Sequence, residues 1–466
     1  MQLLHQALQK IFPAEDILSD SVDLLAYSYD NSRLILKPDF VVFPRETSQI
    51  QATVKTCIEY QVPLVTRGRG TATTGSALAN LGGVVLSTEK MNSIIKIDSA
   101  NRFVKVQPGV SNEQLQKALQ QYNLFWPPQP TSSEFCSIGG NLACNASGAR
   151  SVKYGSVRDN ILALKFIDGT GRLISSGKPV SKLSAGLELF RLLIGSEGML
   201  GIIVEATLPL KPLSETSRTI RILCKDSKSA TKTVIELMKL SNVPSALEFI
   251  DHNAFELIKN DIPSISNYEN ATMLLLRIDG DEANIEQQIV NISNLARGSL
   301  DVSVAKTEKE SKQLWQSRKL LSPKLKEIAP KKINEDVVVP IANIAKLLDA
   351  IEQLQQKYQI NIVNFGHAGN GNIHVNLLIN PDDQQQLSKA HNCLNDLFKL
   401  VNELDGAISG EHGIGLSKME FMSLEVNQDS LELMKNVKSA FDPHNILNPG
   451  KWLSNNSKAI TGQGKS

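Results

Sequence analysis

The chain has 466 residues, 41% hydrophobic and 21% charged, and at about 100–200 residues per domain that length predicts two or three domains rather than one. These proportions exclude disordered, collagen-like and coiled-coil proteins. Lys plus Arg (49) nearly cancels Asp plus Glu (48) and no basic run stands out, so nucleic acid is not an expected partner.

In chain order, residues 1–16 place Leu3, Leu4, Ala7, Leu8 and Ile11 at helical spacing, without the basic flank, uninterrupted apolar core or cleavage site of a leader. A short amphipathic helix on a cytoplasmic protein is expected. No apolar stretch approaches the roughly 20 residues that a membrane helix needs, and peripheral docking on the inner face of a membrane stays open. The five cysteines (Cys57, Cys136, Cys144, Cys224, Cys393) are far apart and include no CxxC, which disfavours disulfides and an iron–sulfur site and predicts a reducing compartment.

From 38 to 212, short β-rich runs alternate with helical patterns: strands at 39–43, 63–66, 84–86, 94–97 and 103–106. Ser48 with Gln51 predicts a capping box for a helix bearing Ile50, Val54, Cys57 and Ile58, and Ser111 with Gln114 opens another. From about 213 glycine thins out and strands at 220–224, 247–250, 273–278 and 302–305 alternate with helices, which predicts one sheet with helices on one face. The Ser/Gly/Lys-rich tail, 453–466, reads as disordered.

Three glycine-rich loops crowd the first region. Thr66-Arg67-Gly68-Arg69-Gly70-Thr71 to Gly75-Ser76 follows directly on a strand, where glycines let backbone N–H groups converge on an anion and arginines add charge. Its spacing fits neither the dinucleotide fingerprint nor a P-loop, and by itself a plain glycine turn is an equal reading. The second runs from 127 through Ser133 and Ser137-Ile-Gly139-Gly140-Asn141 to Asn145-Ala-Ser-Gly148, and the third is 195–203, Gly-Ser-Glu-Gly198-Met-Leu-Gly-Ile-Ile203. Three such loops without a metal or disulfide point to an extended nucleotide cofactor.

With Pro44-Arg45 and Lys153-Tyr154-Gly155, these motifs resemble the FAD domain of the vanillyl-alcohol oxidase type. From 38 to 452 the chain resembles the flavin-dependent D-2-hydroxy-acid dehydrogenases. The resemblance implies an α+β fold: a two-part FAD-binding domain (1–213), a ferredoxin-like substrate domain (214–404), and a C-terminal segment (405–452) returning to the flavin. It implies FAD contacts from the three loops, Tyr154 and Asn448. With no histidine at 66–76, the FAD is expected to be bound rather than tethered. Asn370 and Gln129 stand where the family commonly has Asp, and Ser147 where it has Gly.

Three of the seven histidines fall close together: His367 and His374 in Gly366-His-Ala-Gly-Asn-Gly-Asn-Ile-His374, and His412 beside Glu411 in Ser409-Gly-Glu-His-Gly-Ile-Gly415. Two imidazoles and one carboxylate make an open ligand set that suits Zn or Mn, and since neighbours in extended chain point apart, Glu411 and His412 are not expected to ligate together. The resemblance assigns His367, His374 and Glu411 to the metal and His412 to the base. On the helix at 308–328, Arg318 shares a stripe with Leu314, Leu321 and Leu325. Snorkelling would explain it; the resemblance makes it the clamp on a substrate carboxylate, with Lys332 and Asn376 weaker candidates.

The implied reaction is oxidation of a D-2-hydroxy acid to the 2-oxo acid. The segment Asn334-Glu-Asp-Val-Val-Val339 more closely resembles the D-lactate and glycolate branch of that family than the D-2-hydroxyglutarate branch, so D-lactate is the expected substrate, with glycolate or D-2-hydroxyglutarate as alternatives. Electrons must leave for an external acceptor: a quinone, a cytochrome, an electron-transfer flavoprotein or a partner subunit. Whether the chain forms a homodimer stays open. A metal-dependent hydrolase would explain the histidines but not the glycine loops, and a nucleotide-binding scaffold the loops but not the histidines.

Overall fold

The computed structural model describes residues 1–453, so the predicted tail, Leu453 apart, lies outside the described residues. The chain divides into two compact units. One comprises Met1–Ser147, Gly155–Leu213 and the chain from Glu411; the other comprises Gly148–Tyr154 and Ser214–Gly410.

Among the described residues, the first unit has a four-stranded sheet of β1 (Ile17–Leu18), β2 (Phe40–Val42), β3 (Leu64–Arg67) and β4 (Val84–Ser87) in the order β1-β2-β4-β3, with β2, β4 and β3 parallel. Its strands read as unbroken apolar runs because both faces are covered. Phe40, Val42, Leu64, Val84 and Leu86 join one core with Leu4 and Leu8 of the N-terminal helix, while Val41, Phe43, Val65 and Val85 join another beneath Leu24. The helix Thr47–Tyr60 starts earlier than the predicted Ser48 box: the Gln49 side chain accepts the backbone N–H of Arg45 at 2.8 Å and of Glu46 at 3.3 Å. The Ser111 cap forms as expected, its hydroxyl 3.0 Å from the Gln114 N–H.

A second, antiparallel sheet has the order β5-β6-β10-β8-β9, with β5 (Ile94–Asp98), β6 (Phe103–Val106), β8 (Ala163–Ile167), β9 (Leu173–Gly177) and β10 (Ile202–Pro209). The short β7 (Leu124–Phe125) pairs with β11 (Lys211–Pro212).

The second unit is built on seven antiparallel strands: β12 (Thr216–Cys224), β13 (Ala246–Ile250), β14 (Thr272–Gly280), β15 (Asp301–Val304), β16 (Lys331–Val338), β17 (Asn361–His367) and β18 (Asn372–Ile379). Their order is β15-β12-β14-β13-β17-β18-β16. Leu223, Ile250, Met273, Val363, Phe365 and Leu378 pack against the helices His252–Ile258 and Glu308–Ile328. Alternation sends the equally buried Ile222, Phe249 and Leu274 the other way. The helices Ser227–Met238 and Glu282–Leu295, which also pack on β12 and β14, cover that side, so helices lie on both faces of the sheet rather than one. No helix among the described residues is long and apolar enough to cross a membrane.

Candidate active site

In the first unit β3 delivers Arg67 into the first glycine loop. A Cβ on Gly68 would stand 2.5 Å from the Ser137 hydroxyl, and one on Gly139 2.6 Å from Pro108, so this loop meets the start of the helix Ile138–Cys144 at backbone distance. Gly70 takes φ +67° over the Arg67 guanidinium. Arg67 is buried and donates one Nη2 bond to the Tyr29 carbonyl at 2.8 Å. Its Nη1, with Thr66 Oγ1, Thr73 Oγ1 and Asn448 Oδ1, has no hydrogen-bond partner among the described residues. Each such buried atom costs about 1–3 kcal/mol unless a ligand or water meets it. A loop of close backbone with unmet polar atoms fits an extended polar cofactor such as FAD.

The third loop lies on the same helix: the Gly195 N–H donates to Leu142 O at 3.1 Å and the Glu197 N–H to Ala143 O at 2.8 Å. Asn448 ties it to the first, its Nδ2 donating to Ser76 O at 2.9 Å and Glu197 O at 2.6 Å. Arg69, Thr71, Gly75, Gly198 (φ +77°), Gly140, Asn141 and Asn145 share this unit. Ser133 is there too, its carbonyl taking the Glu113 N–H at 3.1 Å. Ile203 is placed differently, with its side chain in the core of the second sheet, so only its backbone could face a cofactor. Ser147, in place of glycine, braces its loop by donating to Asn145 O at 3.1 Å and accepting from the Val157 N–H at 3.2 Å. Gly148 and Tyr154 belong to the second unit, where the Tyr154 hydroxyl donates to Asp279 at 2.7 Å.

The same loops hold the turn carrying His412. The buried Glu197 carboxylate accepts the backbone N–H of Ile414 at 2.6 Å and of Gly415 at 2.9 Å, and Thr74 O accepts that of Leu416 at 2.8 Å. Burial pushes the Glu197 carboxyl up, against the pull of those two N–H groups and of the Lys451 and Lys418 charges.

In the second unit one face of the sheet gathers the remaining groups. Register sets Glu248 opposite His367, Phe365 opposite His374, and His374 opposite Asp336, and residues directly opposite share a face. Lys332 and Asn376 fall on that face by alternation. The His367 and His374 rings meet edge-on with centroids 5.3 Å apart. The helix Glu308–Ile328 brings Arg318 over the Phe365 ring at 4.4 Å, and its Nε donates to Glu248 Oε2 at 2.7 Å. Glu248 Oε1 contacts His367 Nδ1. Burial alone would raise the Glu248 carboxyl; the charges and hydrogen bonds of His367 and Arg318 prevail and hold it at about 2. Asn376 spends its amide inside the sheet, donating to Val363 O at 2.9 Å and His374 O at 3.1 Å and accepting from Asn334 at 2.6 Å, which makes it a brace.

Asp336 accepts the Gly410 N–H at 2.9 Å and lies 3.3 Å from the Ser409 hydroxyl. Glu411 follows directly on that held turn. His367, His374 and Glu411 offer two imidazoles and a carboxylate, a donor set whose chemistry fits a divalent ion. Glu248 and Asp336 have no motif to announce them. The signal available for Glu248 is a carboxylate inside the otherwise apolar strand Ala246–Ile250, where burial demands a partner.

The turn between the two histidines depends on Gly371. It has φ +73°, and a Cβ would fall 1.8 Å from Val339 O. Gly371→Ala is expected to destabilise by more than the roughly 1–3 kcal/mol of backbone strain alone. The melting temperature should fall accordingly; a parent-like melting temperature would refute this account of the turn.

Known proteins agree with this anatomy. Residues 38–177 match the FAD binding domain family, and residues 213–452 match the family of FAD linked oxidases, C-terminal domain. The chain is 34% identical to the glycolate oxidase subunit GlcD of Bacillus subtilis, covering 98% of this chain and 97% of that one. It is 33% identical to a D-lactate dehydrogenase of Anaerostipes hadrus, covering 95% of each. Its fold superposes on p-cresol methylhydroxylase with a TM-score of 0.80 at 16% identity, over 97% of this chain and 96% of that one, which supports the vanillyl-alcohol oxidase type of architecture. The hydrolase and scaffold alternatives fall away with these matches: the chain belongs to the FAD-linked oxidases and is an FAD-dependent oxidoreductase.

Proposed function

We propose that the protein oxidises a small D-2-hydroxy acid, D-lactate before glycolate or D-2-hydroxyglutarate, with FAD held non-covalently by the glycine loops. A zinc or manganese ion on His367, His374 and Glu411 belongs to the same reading. The observation that carries it is Arg318. Its Nε is committed to Glu248, while its terminal nitrogens have no hydrogen-bond partner among the described residues, on the sheet face that bears both imidazoles. A half-buried guanidinium presenting two parallel N–H donors is built for a carboxylate.

Arg318 binds and orients the substrate carboxylate. His412 takes the hydroxyl proton. The Cα–H and O–H bonds break and the C=O bond forms, so one proton and one hydride leave the substrate. When bound, FAD supplies the acceptor for that hydride, and the divalent ion supplies Lewis acidity to a hydroxyl otherwise about as weakly acidic as water. An external acceptor (quinone, cytochrome, electron-transfer flavoprotein or partner subunit) then takes the two electrons. Five free cysteines agree with a reducing, cytoplasmic setting.

Anaerobic mixing of the flavoprotein with a panel of D- and L-2-hydroxy acids tests this directly. D-lactate is expected to bleach the visible flavin band fastest, by about tenfold or more over its enantiomer and over acids differing by a methylene. Faster bleaching by L-lactate, or none by any acid, sinks the reading.

A further inference from the structure

Glu248 is in none of the groups assigned so far to cofactor, metal or substrate, yet it touches two of them. It is 1% exposed, on the central strand β13, directly across the ladder from His367. One carboxylate oxygen meets His367 Nδ1, and the other accepts the Arg318 Nε–H at 2.7 Å. An ionised carboxylate only accepts, so the imidazole nitrogen facing it must carry a proton, and in the neutral ring that a metal requires the lone pair falls on Nε2. The same carboxylate fixes the guanidinium by its inner edge, and the terminal N–H groups are left outward. With burial this complete, water offers no substitute partner.

We infer that Glu248 is a positioning residue that sets, through one carboxylate, both the ligating nitrogen of His367 and the carboxylate-binding edge of Arg318. Metal binding and substrate recognition are thereby coupled. This rests on the metal and substrate roles proposed above for those two residues.

The test compares parent, Glu248→Gln and Glu248→Asp enzymes, each loaded with FAD. Glutamine keeps the size but has one acceptor and one donor, so it cannot accept from both Arg318 Nε and His367 Nδ1; with its oxygen on Arg318, its amide can meet Nδ1 only by donating, which moves the ring proton onto Nε2. Glu248→Gln should weaken zinc or manganese binding, read by chelator competition, about 10–100-fold. It should also raise KM for D-lactate while flavin content stays at the parent level. Glu248→Asp, with the charge kept and the arm shortened, should fall between the two. A brace for the fold alone would lower the melting temperature without moving metal affinity or KM, so parent-like values of both in Glu248→Gln overturn the inference. Should that variant yield no folded protein, parent-like values in Glu248→Asp overturn it. A parent enzyme that binds neither metal sinks the metal reading itself, whereas a parent that binds one with an unaffected Glu248→Gln sinks only the role of Glu248.

Discussion

His412→Ala is expected to keep its FAD and to be reduced by D-lactate about 10²–10⁴-fold more slowly, the usual contribution of a positioned acid–base group. Flavin retention follows from how the turn is held. Its ties to Glu197 and Thr74 run through the backbone of Ile414, Gly415 and Leu416, which truncation at His412 leaves in place. The rate loss follows from the weak acidity of the substrate hydroxyl, whose proton must go somewhere as the hydride leaves. Stopped-flow absorbance under anaerobic conditions separates the two effects. Reduction within about threefold of the parent would remove His412 from the proton transfer, since a general base contributes far more than that.

Arg318→Met should act on binding. Charge-assisted hydrogen bonds contribute about 1.5–3 kcal/mol each, so losing two to a carboxylate predicts a fall in kcat/KM of about 10²–10⁴-fold, carried mainly by KM. Stability should fall as well, because Glu248 loses one of its two buried partners. The cost stays below the roughly 3–5 kcal/mol of a fully broken buried pair, since His367 still faces the carboxylate. Arg318→Lys should recover little, because an ammonium cannot serve Glu248 through one edge and a carboxylate through another. A lysine variant with parent-like KM would show that charge alone, and not the fork, is what the site uses.

Much of this was legible before any fold was known, though unevenly. The helix Glu308–Ile328 matches its apolar period residue for residue, and the same period placed a guanidinium on the apolar stripe, where snorkelling and an anion partner were both open. That the anion in contact would be Glu248 was not legible, because 246–250 reads simply as a buried strand. The capping box near Glu46 was misplaced by two residues, since two overlapping polar pairs compete there and packing chooses between them. Asn376 was a weaker candidate for the substrate from its place two residues beyond His374, on the same strand face. Three hydrogen bonds inside the sheet give it another task.

Composition and periodicity by themselves pointed to the α+β character, and glycine and histidine spacing to loops and turns that could hold a cofactor or a metal, while the family resemblance supplied the roles of the individual groups. Those signals are local: they depend on backbone freedom and on apolar repeats within one element. Tertiary structure alone decided the partnerships, for Glu248 and His367 are 119 residues apart and meet because β13 and β17 pair in one register. That register is chosen by burying whole faces of seven strands at once, since a shift of one residue would turn every side chain to the opposite face.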